Sequence, residues 1–300
     1  MDYFFQLFFS GLTRGSIYAL IALGYTMVYG IIQLINFAHG EIYMIGAFTA
    51  LIVTGVLTIS GMNFIAILVI ASVVAVVYAA SYGFTMEKIA YKPLRNSQRL
   101  SALISAIGMS LFLQNYVRLA QTSDFLPFPK LIPTFGFLEP VKHIITSAQL
   151  IIFVTTAVVM VALTILIKFT RIGKSMRAAS QDKVISMLLG INVNRVISIT
   201  FVIGSATAAI GGVLISSYIG QINFYIGFIA GIKAFVAAVL GGIGSVPGAV
   251  LGSFVLGWTE SFGAGYISSD YEDVFAFIIL VLILIFKPSG LLGKSENEKV

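Results

Sequence analysis

Residues 148–167 read AQLIIFVTTAVVMVALTILI, an unbroken run of apolar and uncharged side chains. A helix needs about 20 such residues to cross the hydrocarbon core of a bilayer, so this run predicts a membrane-spanning helix. Further apolar runs cover residues 15–35, 41–59, 63–86, 100–120, 196–220, 228–240, 248–263 and 271–286. None of them alternates in the way that the strands of a membrane barrel do. The sequence therefore predicts an all-α polytopic membrane protein with about eight or nine transmembrane segments, some short or broken, in a single domain over residues 1–300.

The composition of the chain excludes a soluble protein. Hydrophobic residues form 58% of the 300 positions and charged residues 10%, whereas soluble domains average about 25% charged residues. Cysteine is absent, and only His39 and His143 could supply imidazole ligands, so no disulfide, metal site or cofactor is expected. The net charge of +6 does not indicate nucleic-acid binding, because in a membrane protein the location of positive charges matters more than their sum.

The basic residues are concentrated in three segments, which sets the predicted orientation. Residues 87–99, 168–195 and 287–300 hold 13 of the 18 lysines and arginines. By the positive-inside rule these segments are cytoplasmic, and residues 121–147 and 258–273 are external. This assignment favours a helical pair or a re-entrant hairpin over residues 228–263, broken near the inner face. One long kinked helix is the alternative.

A polar interruption follows the first apolar run and contains Asn36, Phe37, His39, Gly40 and Glu41. Unsatisfied polar groups in hydrocarbon cost several kcal/mol, so these side chains must face protein, water or lipid headgroups. They either line a translocation path or cap two half-helices, or they form a polar loop at the membrane interface. If the interruption is a broken helix at membrane depth, the side on which residue 1 lies is undecided.

A glycine-rich interruption separates the runs at 228–240 and 248–263, and it contains Gly241, Gly242, Gly244 and Gly248. Non-helical backbone at membrane depth is tolerated only against protein or a water-lined cavity. These glycines are therefore candidates for the translocation path, with plain helix packing as the alternative. Lys233 lies in the preceding run and either reaches the interface or faces a cavity.

The cytoplasmic segment 168–195 contains a predicted short helix with an apolar patch. Val184 and Leu188, and Ile185 and Leu189, are spaced four residues apart, and Gly190 is placed to end the helix. Arg177, Gln181 and Asp182 precede the patch. This pattern suits a helix that docks onto a soluble partner, and a helix lying on the inner leaflet is the alternative. Gly-Lys-Ser occurs at 173–175 and 293–295, but neither has the glycine of a P-loop, so any ATP is hydrolysed by another chain.

Several segments together resemble the branched-chain amino acid ABC permeases, and most closely the LivH type. They are Leu23–Gly30, Asn36–Glu41, Arg177–Val193, Gly231–Phe235, Val239–Gly244 and Lys287–Gly293. The resemblance implies a subunit of a bacterial inner-membrane importer rather than an enzyme. It also implies a second permease subunit of the LivM type, two ATP-binding subunits and a periplasmic binding protein that delivers leucine, isoleucine or valine. The segment 177–193 would then contact the ATP-binding subunit.

Two other classes of protein are alternatives for this sequence. An ion-coupled secondary transporter of small amino acids would also have broken helices, and it would need a buried carboxylate for coupling. Glu41 and Glu260 are the candidates. A membrane enzyme would need clustered catalytic groups, which the sequence does not contain.

Overall fold

A computed structural model describes residues 2–95, 97–141 and 144–293 of the chain. His143 and the last two lysines, Lys294 and Lys299, lie outside these residues. The α-helices are α1 (Asp2–Ile32), α2 (His39–Ile59), α3 (Phe64–Met86), α4 (Arg99–Ala120), α5 (Ser147–Phe169), α6 (Arg171–Gln181), α7 (Lys183–Leu188), α8 (Val193–Ile219), α9 (Ile226–Gly241), α10 (Val246–Tyr266) and α11 (Glu272–Phe286). Two short strands, β1 (Leu126–Pro127) and β2 (Gln221–Ile222), pair in antiparallel orientation.

The nine predicted apolar runs are all helical, which confirms the all-α polytopic class. Within the described residues, six helices are long and apolar enough to cross a membrane, namely α1, α2, α3 with its extension to Leu94, α4, α5 and α8. Helices α9 and α10 pass the same test only together, and the chain bends by 118° between them. That bend favours two short segments over one long kinked helix. Helix α11 has 15 residues, fewer than the roughly 20 that a straight crossing needs.

Helix α1 begins much earlier than the run predicted at residues 15–35. The N-terminal extension packs against α10, where Phe8 stacks on Trp258 with ring centroids 5.3 Å apart. The Tyr3 hydroxyl donates a hydrogen bond of 2.7 Å to the carbonyl of Gly265. Aromatic burial and these long-range contacts stabilise helix in a stretch that Arg14 separates from the rest of the apolar run.

The predicted basic segments lie at one end of the helix bundle. Lys183 Nζ donates to the Ile32 carbonyl at 3.2 Å, and Arg95 contacts both Glu87 and Asn194. At the opposite end β1 pairs with β2, and the N-terminus of α1 meets the C-terminus of α10. Asp2 therefore lies at the end opposite the basic segments.

Helix α1 is the central element, and small residues let its neighbours approach closely. A Cβ added to Gly15 would lie 2.8 Å from Cα of Phe254, and one added to Gly204 of α8 would lie 3.2 Å from Cα of Gly24. Such close backbone contacts are the usual way in which helices associate in lipid. Large apolar side chains on the outer faces of α3, α4, α5 and α11 are exposed, as expected of surfaces that face lipid tails.

Candidate functional site

The first break, residues 33–38, joins α1 to α2 inside the bundle. Gln33 adopts a left-handed backbone conformation with φ of 60°, and its amide donates to the Tyr29 carbonyl at 2.8 Å. This conformation ends α1 without a glycine, which is uncommon for a residue with a Cβ. The chain then runs without regular structure until α2 begins at His39.

We include the first turn of α2, with His39, Gly40 and Glu41, in the first break. Gln33 at the start of the break is exposed, but three polar side chains further along it are buried, which argues against a polar loop at the interface. Asn36 and His39 are each 2% exposed and Glu41 is 0% exposed. Asn36 Oδ1 accepts a hydrogen bond of 2.6 Å from the Tyr91 hydroxyl. Tyr91 follows α3, which brings a third element to the break.

Glu41 is held by the middle of α4. Its Oε1 accepts hydrogen bonds of 2.8 Å from Ser110 Oγ and from Gln114 Nε2. Both donors lie well inside α4, so α2 starts partway along that helix rather than level with its end. The polar start of α2 therefore lies inside the bundle, beside the middle of α4.

Three polar atoms of this region remain without a hydrogen-bond partner among the described residues. They are Asn36 Nδ2, His39 Nε2 and Glu41 Oε2. An unsatisfied buried polar group costs about 1–3 kcal/mol, so their accumulation in one place is expensive. Unfavourable free energy of this kind is typical of functional sites rather than of structural loops.

Aromatic and glycine contacts enclose the polar side chains. The Tyr25 ring meets the His39 ring edge-on, with centroids 4.8 Å apart, and Phe37 packs on Phe235 of α9 at 5.8 Å. Gly40 lies directly against α9, where an added Cβ would be 2.7 Å from Cα of Gly231. The start of α2 thus depends on two glycines that allow backbones to touch.

The second break, residues 242–245, is a compact corner between α9 and α10. Gly242 and Gly244 have φ of 101° and 93°, which side chains rarely tolerate. The Ser245 side chain accepts a hydrogen bond from the Gly248 amide at 3.2 Å and caps α10. Gly241 and Gly248 are in direct backbone contact.

The C-terminal segment, residues 287–293, covers the second break. The amides of Leu291 and Leu292 donate to the carbonyls of Leu240 and Gly241, both at 2.9 Å. These bonds satisfy carbonyls that the end of α9 would leave free. Gly241, Gly242 and Gly248 therefore face packed backbone, the arrangement named above as the alternative, and their role in a translocation path stays a prediction.

Gly244 differs from the other glycines of the second break because no atom lies within 4 Å of an added Cβ. It lines a cavity of about 100 Å³ together with Met27 and Arg177. A smaller cavity, of about 10 Å³, is lined by Ile35 of the first break and Ile243 of the second. The two breaks are therefore neighbours at this small cavity.

The predicted coupling helix is present as α7. Asp182 caps it, with its Oδ1 accepting from the Ile185 amide at 2.9 Å, and Gly190 follows its end with φ of 83°. The apolar patch points outward, since Leu188 and Leu189 are 82% and 75% exposed. We call Val184, Ile185, Leu188 and Leu189 the coupling patch.

The residues around the coupling patch connect it to the bundle. The Arg177 guanidinium donates to the Ile167 carbonyl, whereas Gln181 is exposed. Ser186 is buried. Lys183 reaches the carbonyl of Ile32 at the end of α1, and burial, with a smaller contribution from the positive charge of Arg95, lowers its pKa. Helix α7 is thus tied directly to the start of the first break.

An outer cavity of about 360 Å³ opens at the end opposite the basic segments, and Arg14, Tyr18, Tyr43, Lys233 and Glu272 are among its lining residues. The sequence left open whether Lys233 reaches the interface or faces a cavity. It did not identify Arg14 and Tyr18 as site residues. A charged residue inside an apolar run is a signal that could have identified Arg14.

Comparisons with known proteins identify the family of this chain. The family model of the branched-chain amino acid transport system permease component matches residues 7–284. The chain is 51% identical over 302 residues to the high-affinity branched-chain amino acid transport system permease protein LivH of Escherichia coli K12, covering 99% of this chain and 98% of that protein. It is 49% identical to BraD of Pseudomonas aeruginosa, with the same coverage. Among solved structures, PsaBC from Streptococcus pneumoniae in complex with Fab aligns with 93% of this chain and 91% of that chain, at a TM-score of 0.47 and 13% identity.

The fold defines a multi-pass membrane protein, and its relatives are transport permeases rather than enzymes. The chain belongs to the branched-chain amino acid transport permease family, as its sequence resemblance implied.

Proposed function

We propose that this chain is the inner-membrane permease subunit of an ATP-binding-cassette importer for leucine, isoleucine and valine. A periplasmic binding protein delivers the amino acid to the end that carries the outer cavity. A second permease subunit of the LivM type completes the membrane part, and two ATP-binding subunits bind at the basic end. The names of the relatives support the amino-acid class and the permease role.

The coupling patch is the observation that carries this proposal. Large apolar side chains exposed beside basic residues, at the end of the bundle with the basic segments, fit a contact with a soluble subunit. Helix α7 is rigid at both ends, through the Asp182 cap and the Gly190 turn. A partner that moves α7 also moves Lys183 and hence the carbonyl of Ile32. Movement of the ATP-binding subunit would therefore reach the first break by a path of direct bonds.

The translocation path in this proposal runs past the first break. Asn36, His39 and Glu41 supply polar groups there, and Phe37 and Gly40 form part of its apolar and backbone walls. The unpartnered polar atoms are buried in this conformation and would become available to a passing ammonium or carboxylate group when the path opens. Closure of the Gly40–Gly231 contact would block the path, and separation of α2 from α9 would open it.

The double substitution of Leu188→Asp and Leu189→Asp tests the coupling patch. A charge placed in a desolvated interface costs several kcal/mol unless it is paired, so the ATP-binding subunits should dissociate or hydrolyse ATP without uptake. The measurements are pull-down of those subunits and leucine-dependent ATP hydrolysis in reconstituted vesicles. Ile267→Asp, an exposed apolar residue at the opposite end, is the control. Wild-type association and hydrolysis in the double variant would contradict the proposal.

A further inference from the structure

The outer cavity contains a cluster of paired charges in an otherwise apolar region. Lys233, which is 9% exposed, lies 3.3 Å from Glu260, 3.0 Å from Glu272 and 2.8 Å from Asp273. Arg14 pairs with Glu272 and lies 3.9 Å from Glu260. The cluster joins α1, α9, α10 and α11.

Stabilisation of the fold does not by itself explain these ion pairs. Bringing charges out of water costs several kcal/mol per ion, and apolar side chains of similar volume often stabilise a protein equally well. Ionisable residues within membrane segments are functional candidates for this reason. Glu260 is completely buried, and its Oε2 accepts a hydrogen bond of 2.6 Å from the Tyr18 hydroxyl, so one carboxylate of the cluster is firmly oriented.

Three charged side chains of the cluster are within reach of a ligand in the cavity. Arg14, Lys233 and Glu272 line the cavity, so both signs of charge are presented to its interior. The rest of the wall is largely aliphatic and includes Ile17, Ile215, Ile226 and Ile229. A volume of about 360 Å³ lies within the range of small-molecule sites.

We propose that the outer cavity binds a zwitterionic apolar amino acid, whose carboxylate pairs with Lys233 and Arg14 and whose ammonium group pairs with Glu272. An anion alone would displace Glu272 from its cations and leave that partly exposed carboxylate without a cation. A cation alone would take Glu272 from Arg14 and leave Arg14 only Glu260, 3.9 Å away, whereas Lys233 would keep Glu260 and Asp273. A zwitterion replaces each ion pair that it breaks, and its branched side chain lies against the isoleucines.

The floor of the outer cavity connects it to the first break. Tyr43 and Ala230 line the cavity. Tyr43 lies one helical turn beyond Gly40 on α2, and Ala230 precedes Gly231, which packs on Gly40. An amino acid in the cavity therefore lies directly outside the glycine contact that would have to open for passage. This inference rests on the proposed function for the identity of the transported solute.

Protection of an introduced cysteine tests the inference in the assembled importer. The native chain has no cysteine, so Ile229→Cys places the chain's single thiol on the cavity wall. We expect leucine to slow maleimide labelling from the outer side at least about tenfold at saturation, since a bound ligand covers most of its site. Neither 3-methylbutylamine nor 4-methylpentanoate should protect, because each carries a single charge. Ile267→Cys, at the same end but outside the cavity, should be labelled equally with and without leucine.

Substitution of a cavity cation tests the charge pairing. In the Ile229→Cys background, Lys233→Met should raise the leucine concentration for half-protection at least about tenfold, which corresponds to loss of a hydrogen bond between charged groups. Lys233→Arg should restore most of the protection. Lys130→Met, an exposed residue of the external loop, should leave it unchanged.

The outcomes separate this inference from the proposed function. Normal ATP-dependent leucine uptake without leucine protection, or equal protection by the two singly charged compounds, would overturn the site and leave the importer proposal standing. A half-protecting concentration that Lys233→Met leaves unchanged would also overturn it. Absence of ATP-dependent leucine uptake by the complete wild-type assembly would instead overturn the proposed function.

Discussion

The two breaks in the helices of this permease lie beside each other but are built differently. The first break leaves Asn36, His39 and Glu41 buried with polar atoms unpartnered among the described residues. The second break is closed by its own backbone, since Ser245 caps α10 and the C-terminal segment satisfies the last carbonyls of α9. One break stores unfavourable free energy, and in the other the adjoining helix ends are hydrogen-bonded.

This difference indicates a division of roles between the two breaks. Unpartnered buried polar groups raise the free energy of a region. A ligand or a rearrangement that supplies partners lowers it again. A corner whose helix ends are already hydrogen-bonded gains less from opening and serves as a fixed support. We therefore expect the first break to change during transport and the second to hold α9, α10 and the C-terminal segment together.

The largest effect is expected at Gly40, where the first break meets α9. Gly40→Leu would force a side chain against the backbone of Gly231, which lies 2.7 Å from the position of the added Cβ. Overpacking costs about 1–3 kcal/mol even where side chains can shift, and here the obstacle is backbone, so uptake should fall at least tenfold. Gly55→Leu, on the same helix with no atom within 4 Å, should leave uptake normal. Equal uptake by the two variants would remove the glycine contact from the mechanism.

The second break can be tested with a matched pair of glycines. Gly242→Ala and Gly244→Ala both place a Cβ at positive φ, which costs about 1–2 kcal/mol. An added Cβ at Gly242 would also lie 2.6 Å from Cα of Gly293, whereas Gly244 faces open space. Gly242→Ala should therefore lower the thermal unfolding midpoint in detergent more than Gly244→Ala does. Identical midpoints would mean that the C-terminal segment does not support the corner.

A smaller effect is expected at Tyr91, which donates to Asn36 in the first break. Tyr91→Phe leaves Asn36 with no described side-chain partner, at a cost of about 1–3 kcal/mol in the free energy of unfolding. Tyr78→Phe removes an exposed hydroxyl that lies 3.4 Å from that of Tyr82, and it should cost nothing measurable. Thermal unfolding of the two purified variants gives the comparison. A stable Tyr91→Phe protein would show that the first break tolerates a further unpartnered group.

The sequence predicted the helices and the coupling patch because those features depend on local patterns. Apolar runs give helices, and the spacing of Leu188 and Gly190 predicts the end of α7. The early start of α1 was missed because Arg14 interrupts the apolar run, and its charge is neutralised by Glu272 far along the chain. The packing of the C-terminal segment on Gly242 was also missed, because the contact between Gly242 and Gly293 depends on tertiary structure. Pairings between distant residues leave no periodic signal.

The smallest effect is expected for the charge of Glu41, and it separates an ATP-driven importer from an ion-coupled transporter. Glu41→Gln keeps an oxygen that can accept from Ser110 and Gln114. Exchanging a charged for a neutral acceptor costs on the order of 1 kcal/mol, so ATP-dependent uptake should stay within about fivefold of wild type. Glu41→Leu removes both acceptors, leaves the two donors unpaired, and should lower uptake further. If Glu41→Gln abolishes uptake although the protein folds and assembles, the carboxylate itself carries a coupling proton or ion, and the first break belongs to an ion-driven mechanism.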